Sequence, residues 1–108
     1  MKIKQGDSYA LDFNLKQDGV PIKPNMVDDI EICIGTTIRK TFAGGLLTFD
    51  SKSMKWYLRL SQEETFGMEE GVHEVEGRVK YKGVPYSDVI GTKLGTINVS
   101  ASTSREVL

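Results

Sequence analysis

Cysteine, proline and histidine are all scarce in this chain: one, three and one in 108 residues. A lone Cys33 excludes an internal disulfide, so the fold must hold without oxidation, and synthesis in a cytosol is the default. Structural zinc needs three or four Cys, His or carboxylate ligands. One cysteine and one histidine without ligand spacing do not supply them. No apolar run approaches the ~20 residues that cross a bilayer. The opening Met1-Lys2-Ile3-Lys4-Gln5-Gly6-Asp7 turns polar at once, so no signal peptide is expected. Neither charge sign dominates: Lys+Arg 14 against Asp+Glu 15 leaves a net charge of −1. That balance gives no electrostatic reason to expect nucleic acid or an anionic membrane as partner. It also removes one barrier to self-association.

What the chain does have is alternation. Tyr9, Leu11, Phe13 and Leu15 fall on one side of an extended segment, and Ala10, Asp12, Asn14 and Lys16 on the other. This is the period of a strand with one dry and one wet face. Ile30, Ile32 and Ile34 repeat it against Glu31, Cys33 and Gly35. Trp56, Leu58 and Leu60 repeat it against Lys55, Tyr57 and Arg59. Between residues 72 and 82, His73, Val75, Gly77, Val79 and Tyr81 face one way, opposite a charged ladder of Glu74, Glu76, Arg78, Lys80 and Lys82.

The first full strand is expected over 8–16, with others at Ile3, its flanking lysines outward on an edge, at 38–42, around Leu47 and Phe49, near 86–90 and over 94–100. Gln17-Asp18-Gly19-Val20 is a tight turn with a strong Asp-Gly signal. Pro21 and Pro24 keep residues 20–27 extended, at an edge or in a loop. Gly44-Gly45 and Gly91 read as breaks. Ser61-Gln62-Glu63-Glu64 matches a capping box, and Gly67 offers a left-handed stop. One short helical turn is therefore expected near 61–67. These elements predict an all-β chain, an antiparallel immunoglobulin-like β-sandwich of seven or eight strands. Residues 1–100 form one domain and 101–108 a loose C-terminal tail.

The chemistry-bearing residues each have a simple structural reading. His73 falls on the inward face at a strand end and lacks an evident partner for acid–base work. Cys33 has acidic sequence neighbours, which oppose formation of a nucleophilic thiolate. Asp28, Asp29 and Glu31, or Glu63, Glu64, Glu69 and Glu70, lack the tight loop spacing of a calcium site. Gly44-Gly45 lacks the strand–loop–helix setting and lysine of a phosphate loop. Trp56 is in register with Leu58 and Leu60 and so belongs to the core, while Tyr57 lies opposite with Lys55 and Arg59 as an interface candidate. No catalytic, cofactor or metal site is assigned.

Gln5-Gly6-Asp7-Ser8-Tyr9-Ala10-Leu11 opens the domain, and Asp18-Gly19-Val20-Pro21-Ile22 closes its first hairpin. Leu58-Arg59-Leu60-Ser61-Gln62-Glu63-Glu64-Thr65 follows, then Glu70-Gly71-Val72-His73, and Leu94-Gly95-Thr96-Ile97-Asn98-Val99 ends it. This order, over residues 3–100, resembles the immunoglobulin-like N-terminal module of phage baseplate upper proteins and small prophage structural proteins. His73 stands where that family usually carries an aromatic residue. The resemblance implies a non-enzymatic structural or assembly protein of a phage or prophage particle, in tail, baseplate or capsid. It would be made in the bacterial cytoplasm and carried in the virion. Its partners would be itself or other particle proteins, without nucleic acid, membrane or cofactor. A carbohydrate-binding β-sandwich is the alternative, resting on Trp56 and Tyr57. An edge near 20–27 or the strand at 86–90 is the expected docking surface.

Because so few metal ligands are present, a strong chelator is expected to leave the melting temperature unchanged. A bound metal would add linkage stability, so a clear drop with chelator would contradict the reading.

Overall fold

Alternation sorts most side chains as the sequence predicts. A computed structural model describes residues 1–83 and 88–108. The protein is all-β, 55% strand and 8% helix. Its strands are β1 (Lys2–Lys4), β2 (Tyr9–Phe13), β3 (Lys16–Gln17), β4 (Val20–Pro21), β5 (Val27–Ile34), β6 (Ile38–Thr41), β7 (Leu47–Asp50), β8 (Lys55–Leu60), β9 (Gly71–Tyr81) and β10 (Val89–Ser100). One helix, α1 (Gln62–Phe66), and a 3-10 turn at Pro24–Met26 complete it. A five-stranded sheet in the order β1-β10-β9-β5-β6 curls as a half-barrel. A three-stranded sheet, β2-β8-β7, shares one core with it, and β3 and β4 form a small hairpin.

Leu11, Phe13, Leu15, Ile30, Ile32, Ile34, Trp56, Leu58, Leu60, Val75, Val79, Ile97 and Val99 are buried as expected. Tyr9 is only half-buried. Its hydroxyl stays at the surface, accepting from the Lys4 amide at 2.8 Å and donating to Asp7 at 3.4 Å. Trp56 is fully buried, and its indole N–H donates to the Ile22 carbonyl at 2.8 Å. Phe42 and Phe49 pack on its ring, with centroids 5.1 and 5.2 Å away, in the tilted geometries aromatic pairs favour.

The helix forms as its capping box dictates. Ser61 Oγ accepts from the Glu64 amide, and the Glu64 carboxylate accepts from the Ser61 amide. The Gln5-Gly6-Asp7 turn docks on this helix. Thr65 Oγ1 accepts from the Gly6 amide at 2.9 Å and donates to the Asp7 carbonyl at 2.8 Å. Gln5 Nε2 donates to the Met68 carbonyl at 2.7 Å. Gly6 has φ +85°, and a Cβ there would lie 2.5 Å from the Phe66 ring, so no other residue fits without displacing it.

Several expectations need correction. The described residues form ten strands rather than seven or eight, because β3 and β4 are two-residue pieces. One pairing is parallel, β1 against β10. The strand expected over 8–16 ends at Phe13, because the chain then turns to pair with its own return strand; Ile22 N–H donates to Leu15 C=O at 2.9 Å. Residues 20–27 are not extended throughout. Pro24 opens a 3-10 turn, where its missing N–H costs nothing. Gly67 is right-handed, φ −75° and ψ −9°. The helix stops instead where Met68 turns into the core, its amide donating to the Thr65 carbonyl at 3.2 Å. Gly91 breaks nothing, since β10 runs through it, and the irregularity is a bulge between Lys93 and Gly95. The strand expected at 86–90 is described only from residue 88, since 84–87 lie outside the described residues. Residues 101–108 carry no regular structure, yet Arg105 donates to Gln5 Oε1 and the Leu108 amide to Gln62 Oε1, both at 3.0 Å.

Leu58 is 1% exposed at the centre of β8. Leu58→Ala is expected to cost ~2–5 kcal/mol in denaturant unfolding, as transfer and cavity terms add. A loss below ~0.5 kcal/mol would place Leu58 at the surface.

Candidate functional site

The chemistry-bearing residues are dispersed, and most serve the fold. His73 sits at the start of β9, half-buried, with Nε2 2.6 Å from the Glu69 carbonyl. A carbonyl only accepts, so Nε2 donates. Its other ring nitrogen lies against Gly35, where a Cβ would come within 2.8 Å. Cys33 lies on the outer face of the large sheet. Burial first, then the Glu31 charge, push its thiol up from its ordinary value, which disfavours the thiolate nucleophile. Asp29 Oδ1 accepts from the Ile30 and Ala43 amides at 2.8 and 2.9 Å, pinning the turn that follows β6. Among the described residues no group of His, Cys, Asp and Glu converges as metal ligands would.

Two surfaces remain. The first is the outer face of the β2-β8-β7 sheet. The two-residue period that buries Trp56 and Leu58 turns Tyr57 and Arg59 outward. They line an open groove of about 600 Å³ with Ala10, Leu46, Thr48 and the Lys40–Glu64 pair. Tyr57, the sequence's interface candidate, does lie in it. Trp56 does not, being buried beneath.

The second surface is the free side of β10. In the sheet order, β10 has β9 on one side and only the three-residue β1 on the other. β1 pairs with Asn98, Val99 and Ser100. Among the described residues, no strand lies against the edge from Val89 to Gly95. Every residue from Val89 to Lys93 is exposed, including Val89 at 56% and Ile90 at 50%. A groove of about 580 Å³ runs beside it, walled by Ile90, Thr92 and Leu94 on one side and by Leu15, Lys16 and Ile22 on the other. A second groove of about 460 Å³ continues past Leu94 to Thr96 and Phe13.

Sequence reasoning named 86–90 as a docking edge but stopped it at Gly91. The overlooked signal was adjacency: Val89 and Ile90 point to opposite faces, so two neighbouring apolar residues cannot both meet one core. In the other expected edge, 20–27, Val20 is exposed and β4 pairs only with β3 among the described residues, while Ile22 and Val27 turn into the core.

Glu31 gathers two of the cations on the outer face of the large sheet. Glu31 pairs with Arg78 at 3.0 Å and also with Arg39. The Arg78 guanidinium, with Arg39 beside it, holds the Glu31 carboxyl below its ordinary 4.5 against partial burial. Burial pushes Glu64 up, but Lys40 and the Ser61 amide outweigh it and hold that carboxyl low as well. A carboxylate depressed in the folded state stabilises above its unfolded pKa, and that contribution is lost as pH falls through the folded value. The melting temperature is therefore expected to fall as pH drops below 4.5. Glu31→Gln with Glu64→Gln is expected to flatten that fall. An identical acid limb in the double variant would contradict these assignments.

No family model matches the chain, and neither does any curated protein or solved structure.

Proposed function

We propose that this protein is a non-enzymatic assembly module of a phage or prophage particle, an immunoglobulin-like sandwich that works by docking strand edges onto other proteins. The observation that carries the docking is the edge of β10 that no strand covers among the described residues, with Val89 and Ile90 exposed beside a groove. An open edge offers main-chain donors and acceptors to an incoming strand, and flanking pockets supply selectivity. The particle assignment is supported by the sequence resemblance, whose opening Gln5-Gly6-Asp7 and later Ser61-to-Thr65 motifs interlock. The sandwich assignment is supported by a five-stranded and a three-stranded sheet closing on the Trp56 core. The virion is the expected location, after synthesis in the bacterial cytoplasm, with itself or other particle proteins as partners.

The carbohydrate-binding reading has one observation in its favour, the groove under Tyr57 and Arg59. Trp56, the larger stacking surface, is unavailable to it.

Light scattering of the protein mixed with the products of neighbouring genes tests the proposal. The expected result is co-elution with at least one of them, lost on Ile90→Lys. Failure to bind any of them, together with polysaccharide binding that Tyr57→Ala abolishes, would favour the carbohydrate reading instead.

A further inference from the structure

The phase of the hydrogen bonds along β10 fixes what its open edge presents. Tyr81 N–H donates to Asp88 C=O at 2.9 Å, so the main-chain groups of that opposed pair face each other. Bonded pairs alternate in an antiparallel ladder. With Val89 opposite Lys80 and Ile90 opposite Val79, the amides and carbonyls of Ile90 and Thr92 turn to β9. Those of Val89, Gly91 and Lys93 turn outward. Beyond the bulge the phase changes: Asn98 N–H donates to Met1 C=O, and Ser100 C=O accepts from Gln5 N–H, both at 2.9 Å. The downstream outward groups are thus taken by the first residues of the chain, while the upstream three are left without a main-chain partner among the described residues.

Those three are symmetric about Gly91. We propose that the occupant of this edge is a second copy of the chain, its β10 running antiparallel with Gly91 on the two-fold axis. This inference rests on the docking reading above and names its partner. In this register Val89 faces Lys93 of the other copy, Gly91 faces Gly91, and Ile90 faces Thr92. Such a pairing makes about six main-chain hydrogen bonds and joins two five-stranded sheets into one.

Charge permits this register. Each Lys93 is already paired with Glu74 of its own chain at 2.8 Å and meets a neutral Val89. Each Arg78 is bound to Glu31 and is separated from its symmetry mate by both Gly91 residues. No like charges stand opposite one another, and a net charge of −1 adds little repulsion between copies. Gly91 at the axis places no side chain between the strands, and both exposed apolar residues, Val89 and Ile90, gain a neighbour. The pairing is short, so it belongs to the weak, reversible class of interface.

Sedimentation across the micromolar range is expected to show a monomer–dimer equilibrium. Val89→Glu gives each Lys93 an opposing carboxylate and is expected to tighten the dimer at low salt. Val89→Lys is expected to loosen it about tenfold or more. Gly91→Pro removes an outward N–H that β9 does not use and is expected to leave a folded monomer by circular dichroism. Opposed Cα atoms in a bonded pair lie about 5.5 Å apart, within disulfide reach. Gly91→Cys on a Cys33→Ser background is therefore expected to give a covalent dimer on oxidation. A protein that stays monomeric throughout overturns the self-pairing, even if a particle protein still binds the edge and the docking reading stands. A dimer indifferent to both Val89 charge variants overturns it too. A self-dimer that captures no particle protein overturns the docking partner proposed above while upholding this one.

Discussion

The indole of Trp56 is the point on which the two sheets meet. It projects from β8 in the small sheet, with Phe49 of β7 on one side. Phe42, at the end of β6 in the large sheet, packs edge-on against it. Its N–H reaches the Ile22 carbonyl, which belongs to the chain returning from the β3–β4 hairpin. A buried indole N–H without an acceptor is costly, so that bond, with the buried Leu15 and Ile22, ties the hairpin to the core. The hairpin in turn walls the groove beside β10. The shape of the candidate docking surface therefore depends on a hydrogen bond buried in the core.

The treatment of edges is uneven, and that unevenness distinguishes one of them. At the large sheet's far margin, β6 is four residues long and carries Arg39 and Lys40, both in ion pairs. At the near margin, β1 is three residues with exposed lysines flanking Ile3. Short, lysine-bearing strands are a common defence against unwanted pairing. The upstream half of β10 has a weaker defence. It carries Val89, Ile90 and Gly91 in sequence, and its one cation, Lys93, is tied to Glu74. The bulge at Leu94 limits how far a partner strand could run, which favours one short pairing over open-ended stacking.

Strand faces were legible because a two-residue period is hard to imitate. Ile30, Ile32 and Ile34 in β5, and Trp56, Leu58 and Leu60 in β8, could bury together in no other way. The capping box was legible because both its hydrogen bonds are local. Ile22, Val27 and Met68 are core residues that no pattern announced, since they sit in connections or at strand starts where nothing repeats. Thr65 and Gln5 were missed for the same reason: their partners are about 60 residues away in sequence. Tyr57 was legible as an outward residue, but its groove was not, because Lys40 and Glu64 reach it from elements far apart in the chain. Gly91 was misread because a glycine in an exposed edge strand and a glycine in a turn look alike without the neighbouring strand.

The central claim is that β10 presents an open edge from Val89 to Lys93 that a second strand can occupy. Amide hydrogen exchange tests it directly, since protection follows whether each N–H is bonded. In dilute protein, the amides of Ile90 and Thr92 are expected to be protected by β9 and those of Val89, Gly91 and Lys93 to exchange freely. Raising the protein concentration is expected to protect those three selectively. Equal protection of all five amides in dilute solution would show that the edge is already covered and would contradict the account.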